Sequence, residues 1–431
     1  MMAINALIIL IFAIVTILAN VRLRMFSFKP TVLGAIFLLA LFVQIVPGTI
    51  LVAFYNYPMS FGVDTVITAE SKVETFRYTI ISISVLLFII FVFSYICRFD
   101  VDLEKLETHH IRAKLLTFFS FAVIAIKILS VGNIPFLMAL RGDFDGAALA
   151  KAQILRNEVG FGGLFIGYIF VYFPYISMVY AYCHKKRYQF GNFIFRVNLL
   201  LITIYSIYDM QKSKFIVVLF MLFILYLKFS KRVNYVLVTI IPAVSIVLLC
   251  AFFMLLHNIP LGEVFDSVLA RLFIGQTEGS FMIYQALIPD ISRIAYGMPL
   301  GGLFGIYAVD PAAEIITIFF PTAGDAWINS NSYFQAHAWS IFGDISLLLG
   351  PLIVSLNIIG LYFLKEMFSK IDRAYASCVY IVSILTLPIV NDFSYFLFFK
   401  SWFCMLVLML FYIITSKMIE LSIKVRTNTI S

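Results

Sequence analysis

Long apolar runs separated by short polar breaks dominate the chain. They fall at roughly 4–20, 31–54, 78–97, 115–131, 161–183, 193–209, 215–230, 235–256, 338–363, 374–390 and 395–415. A helix crosses the bilayer hydrocarbon with about 20 mostly apolar residues at 1.5 Å rise each. The pattern predicts an all-α polytopic membrane protein with about eleven (11–12) transmembrane helices. Residues 1–256 carry spans one to eight and an outer connection at 132–160, and 257–337 forms one large outer loop. Residues 338–431 carry spans nine to eleven and the tail.

Composition supports the pattern. Hydrophobic residues make up 62% of the 431 and charged residues only 13%, with 46 Phe and 23 Tyr, and mean hydropathy is +1.02. Soluble domains carry about 25% charge, and no single soluble core hides this much apolar surface. The five cysteines lie in or at the ends of spans without CxxC or metal-ligand spacing, so no disulfide framework is expected. The first apolar stretch lacks a basic leader and reads as a retained helix.

Net charge is +8, which raises the question of nucleic acid until the basic residues are sorted by side. Odd-numbered connections and the tail hold 19 of the 31, including Arg98, Lys105, Arg112, Lys185, Lys365 and Lys417. Even-numbered connections hold nine, and Lys127, Arg196 and Lys400 fall inside spans. The positive-inside rule places the first set, with the C-terminus, in the cytoplasm and the N-terminus outside. Bases scattered among helix ends set topology near anionic lipid, and no nucleic-acid partner is expected.

Long connections are the informative places in a membrane bundle. The 132–160 connection and the 81 residues from His257 to His337 are Gly- and Pro-containing yet still apolar, which predicts short interfacial helices roofing a cavity at membrane level. Their polar residues are few. Arg141 and Arg156 converge only through tertiary folding, and Asp143, Asp145 and Glu158 are alternative local partners. Arg271 and Glu278, seven residues apart, would share a helical stripe with Gly275 leaving a slot between them. On a helix starting near Ser332, His337 and Asp344 would likewise share one stripe, and ionisable residues in such a helix are functional by default. The Asp209–Lys214 and Asn391-Asp392 corners read as anchors. No HExxH, P-loop, GxSxG or EF-hand pattern occurs.

An outer cavity lined by Arg suits an anionic lipid headgroup, because guanidinium groups bind phosphate bidentately. For a polyprenyl diphosphate carrying a sugar chain, the leaving group needs no general acid. Cations and one base for the attacking hydroxyl suffice, with no metal or cofactor demanded. Glycoside hydrolysis, by contrast, uses two carboxylates.

The whole chain resembles the O-antigen polymerase (Wzy) family of bacterial oligosaccharide repeat-unit polymerases. The resemblance rests on the number of spans, the large outer loop, Gly132-Asn133-Ile134-Pro135-Phe136-Leu137 ahead of Arg141, and Asn331-Ser332 ahead of His337, running into Gly343 and Gly350. It implies a GT-C-like fold in the bacterial inner membrane with the large loops periplasmic. The implied reaction is an inverting block transfer of undecaprenyl-diphosphate-linked oligosaccharides, in lipopolysaccharide biosynthesis, alongside a flippase and a chain-length regulator. Arg141, Arg156 and Arg271 become the expected diphosphate binders, and His337 or Glu278 the catalytic base. An O-antigen ligase would use the same cations with another acceptor. A lipid-linked oligosaccharide flippase would need charges mid-bundle and two similar halves.

Overall fold

The computed structural model describes residues 2–59, 63, 65–161, 165–186, 188, 191–230, 234, 236, 239–240, 243–244, 246–247, 250–251, 254, 260–299, 301–306, 308–321, 330–390 and 392–430. For residues 2, 152, 155–161, 165–170, 212, 261, 302–303 and 418–430 the backbone alone is described. Most of the predicted span at 235–256, together with Asn329 and Asn391, lies outside these residues. Every regular element among the described residues is helical. Among the described residues six helices are long and apolar enough to cross a membrane, consistent with a polytopic membrane protein: Ala3–Leu23, Val32–Tyr55, Ala69–Phe93, His110–Ser130, Phe334–Ser369 and Lys400–Lys417. Gly191–Ile207 and Arg373–Leu385 are apolar but shorter.

The chain divides into two compact units, each drawn from three separate stretches. The first comprises Met1–Asp100, Lys231–Ile359 and Ile384–Lys400. Its opening helices are α1 (Met2–Leu23), α2 (Val32–Tyr55) and α3 (Ala69–Phe93). Thr31 caps α2 by accepting a hydrogen bond from Gly34 N at 2.9 Å, and Thr68 does the same for α3 through Ser71 N. Asn56 stops α2 in the left-handed region at φ 47°. Midway, α2 widens into a π-helical stretch at Leu38–Ile45.

The large loop folds onto these helices rather than standing off them. Its elements are α10 (Leu261–Phe273), α11 (Glu278–Ala286) and α12 (Pro311–Phe319), and α13 (Phe334–Phe342) follows it. Phe281, Met282, Ile283, Ile315 and Ala336 share one buried apolar cluster with Val52 of α2. The end of α10 approaches α2 so closely that a Cβ on Gly48 would lie 2.2 Å from the Phe273 carbonyl oxygen. Along α10, Val264 and Val268 are buried while Glu263 and Asp266 are exposed, the amphipathic pattern of an interfacial helix.

The second unit comprises Val101–Ser230, Gly360–Ser383 and Ser401–Ser431. It contains α4 (His110–Ser130), α5 (Pro135–Leu140), α6 (Phe144–Phe161), α7 (Phe165–Lys185), α8 (Gly191–Ile207) and α9 (Lys212–Phe229). Several polar groups inside it are paired, which offsets the cost of low-dielectric burial. Asn198 bridges Ser177 at 2.6 Å and Thr117 at 2.7 Å, and Arg112 meets Asp372 at 2.5 Å. Lys214 pairs with the fully buried Asp209, which makes that corner an anchor as its sequence suggested.

Candidate functional site

Within the first unit, titratable groups gather in apolar surroundings around α13. Phe334, Gln335, Ala336, His337, Ala338, Ser340 and Ile341 are all buried, and His337 keeps only 4% of its surface. Gln335 fixes the helix against α3: its Oε1 accepts from Ser82 Oγ at 3.0 Å while its Nε2 donates to Ser346 Oγ at 2.7 Å.

Asp310 stands opposite. It caps α12, accepting from Ala312 N at 2.9 Å ahead of Pro311, a strong helix-start signal. Its carboxyl also accepts a hydrogen bond from the Tyr296 hydroxyl and lies within electrostatic reach of His337. Burial pushes the Asp310 carboxyl above the usual 3.8, against the pull of His337, the Ala312 N–H and Tyr296; neighbouring Asp392 adds to the rise. Burial, with Asp392 and Asp310 nearby, raises the Tyr296 phenol, so it stays a neutral donor.

Asp392 brings a second set of partners. Its Oδ1 accepts from Ser394 N and its Oδ2 from Ser394 Oγ, both at 2.7 Å, and Lys400 Nζ donates to the same Oγ at 3.1 Å. The turn after Tyr296 lies directly over this pair: a Cβ on Gly297, whose φ is +68°, would sit 2.2 Å from Ser394 Oγ and 3.0 Å from Lys400 Nζ. His337, Asp310, Tyr296, Asp392 and Lys400 thus form one constellation of imidazole, carboxylates, phenol and ammonium. Groups of these kinds are chemically able to take a proton from a hydroxyl and to stabilise the resulting cation. Among the described residues no group of three His, Cys, Asp or Glu side chains converges as metal ligands do.

Arg293 holds the rim. Its Nε and Nη2 grip Glu314 of α12 at 3.0 and 2.9 Å, and its Nη1 donates to the carbonyls of Ile288 at 2.6 Å and Ser340 at 3.1 Å. With those donors engaged, this guanidinium ties α12 to α13.

The expected site residues are distributed as follows. Glu278, with 4% of its surface exposed, opens α11. Its neighbours dock on the approach to α13: Gly279 N donates to Asn331 O and Tyr333 N donates to Ser280 Oγ, each at 2.9 Å. The segments bearing Glu278 and His337 therefore lie side by side. Arg271 and Glu278 do not share a helical stripe. The helix ends at Phe273, tightens into a 3₁₀ turn at Ile274–Gln276 and restarts after Thr277, whose φ is −122°. Arg271 is exposed, and its own Cδ covers Gly275, 3.3 Å from where a Cβ would be.

His337 and Asp344 are likewise parted by Gly343, at φ 62° and ψ −144°. Asp344 accepts a 2.5 Å hydrogen bond from Tyr78, whose ring stacks on Tyr284. Arg141 is exposed at the end of α5, in the second unit. Arg156 is on α6 in that unit, and its side chain lies outside the described residues.

Asp310, Tyr296 and Lys400 were not singled out by sequence reasoning, and Asp392 was read only as a corner anchor. The Asp310-Pro311 cap signal marks one of them; Lys400 reads as an ordinary residue inside a span. No family model, curated protein or solved structure matches the chain.

Proposed function

We propose that this protein polymerises undecaprenyl-diphosphate-linked oligosaccharide repeat units on the outer face of a bacterial inner membrane, as the O-antigen polymerases it resembles do. The observation that carries the reading is His337, buried on an apolar helix beside Asp310 where the large loop folds over the bundle. An acceptor hydroxyl on the incoming unit attacks the anomeric carbon of the growing chain. The bond to the diphosphate oxygen breaks, the diphosphate leaves with the electron pair, and His337 takes the hydroxyl proton, with inversion. Asp310, held by Tyr296, stabilises the imidazolium. Glu278 is the other group available as base. Arg271, in the same unit as His337, holds the diphosphate in this scheme, within a GT-C-like bundle of eleven or twelve spans; Arg141 and Arg156, the other expected binders, belong to the second unit. A flippase and a chain-length regulator are its expected partners.

Deleting the gene should leave lipid A capped with single repeat units, where the parent strain shows a ladder. Purified protein given a synthetic lipid-linked repeat unit should build polymer on undecaprenyl diphosphate. His337→Ala should slow that about 10²- to 10⁴-fold. A full ladder in the deletion strain rejects the assignment, and chain transfer to lipid A without elongation makes the protein a ligase.

A further inference from the structure

A crevice of about 520 Å³ runs between α1, α2 and α3, walled by Ile9, Phe12, Ile50, Phe54, Phe76 and Ile80 among other apolar side chains. It opens sideways, since Ile9 and Phe54 leave 49% and 47% of their surface exposed and Tyr55, at its end, 74%. Phe54 and Phe76 meet edge to face at 4.8 Å. Polar side chains lie a turn beyond one end of its lining. A turn beyond Ile9, Asn5 accepts a 2.8 Å hydrogen bond from Arg77 Nε, which bridges α3 to α1. A turn before Phe76, Lys72 Nζ donates to Asn56 Oδ1 at 3.3 Å, bridging α3 to the residue that ends α2.

Both cations therefore lie toward one end of the three helices, by the start of α1, the end of α2 and the first turns of α3. Lys72 is 7% exposed, and neither it nor Arg77 has a carboxylate within ion-pairing distance among the described residues. A base this buried with no acid beside it is satisfied by an anion from outside the chain. Among the described residues the guanidinium keeps both terminal nitrogens for it, in the fork that suits phosphate. An apolar channel with two cations beyond one end, neither ion-paired among the described residues, matches one kind of ligand, an amphiphile with an anionic head. Its volume is on the scale of a single acyl chain and well short of a long polyprenyl chain.

We propose that the α1–α2–α3 crevice is a binding site for an anionic phospholipid, one acyl chain lying between Ile9, Ile50 and Phe76 and the head phosphate bridging Lys72 and Arg77. It stands apart from the polymerase reading and uses none of the residues assigned there.

Native mass spectrometry of the purified full chain tests it, with dioleoyl phosphatidylglycerol, dioleoyl phosphatidylethanolamine and undecaprenyl phosphate as separate probes. Phosphatidylglycerol should be retained about ten-fold more tightly than phosphatidylethanolamine. Lys72→Gln with Arg77→Gln should erase that preference. Ile50→Trp, which fills the crevice and keeps both charges, should lower retention of phosphatidylglycerol to the level of phosphatidylethanolamine. Equal retention of the two phospholipids by the wild type, or unchanged preference in Ile50→Trp, overturns the proposal. Displacement of bound phosphatidylglycerol by equimolar undecaprenyl phosphate overturns the choice of a phospholipid. Each outcome is independent of whether the protein polymerises anything.

Discussion

Asp310 serves two purposes that pull against each other. As the cap of α12 it works best ionised, accepting from Ala312 N, yet its burial favours the protonated form. Its carboxyl is raised above 3.8 in the folded protein, so the fold holds this proton more tightly than the unfolded chain does. The resulting stabilisation is complete below the ordinary carboxylate value and is lost as pH rises through the raised one. Asp310→Asn keeps a capping oxygen and abolishes the titration. The melting temperature of the Asn variant should therefore gain on the wild type between pH 4 and pH 8, while a constant difference would mean that Asp310 titrates normally. The groups facing it, His337, Tyr296 and Asp392, are common to both proteins and cancel to first order. At this scale the sequence is half legible. A lone buried His and an isolated Glu stand out in apolar runs, whereas Asp310, Tyr296 and Lys400 acquire meaning only when segments 14 to 104 residues apart meet.

At the scale of elements, hydropathy locates helices well and helical arithmetic across them poorly. The predicted spans at 31–54, 78–97 and 115–131 correspond to Val32–Tyr55, Ala69–Phe93 and His110–Ser130. Both seven-residue relations fail for one reason: the chain leaves the α-helix between the paired residues, at Ile274–Thr277 and at Gly343. An apolar run does not reveal such a break, because its residues suit lipid or core in either conformation. Gly343 is the exception that a sequence offers, since its backbone occupies a region open essentially to glycine alone. Gly343→Ala should cost about 1–3 kcal/mol and release the Tyr78–Asp344 hydrogen bond as the helix straightens. A lowered thermal midpoint in detergent checks the first effect. Loss of any further destabilisation from Asp344→Asn in the Ala background checks the second, by a double-mutant cycle.

The whole molecule turns on where its few charges lie. Nineteen basic residues in odd connections and the tail, against nine in even connections, predict that the first set faces the cytoplasm. That asymmetry was plain in the sequence. The two-unit organisation was not, because each unit is assembled from three stretches and no composition shift marks the joins. The orientation is open to a direct measurement. The described structure leaves Ile288, in the large loop, 80% exposed, and the Lys105 side chain, in the third connection, 73% exposed. Four native cysteines are buried and Cys250 is partly so, which keeps the background low for a membrane-impermeant maleimide. In intact spheroplasts Ile288→Cys should label and Lys105→Cys should not; in inverted vesicles the two should exchange. Labelling of Lys105→Cys from outside would put the nineteen bases on the wrong side of the membrane. The large loop would then face the cytoplasm, where nucleotide-activated sugars are available and the case for a lipid-linked donor disappears.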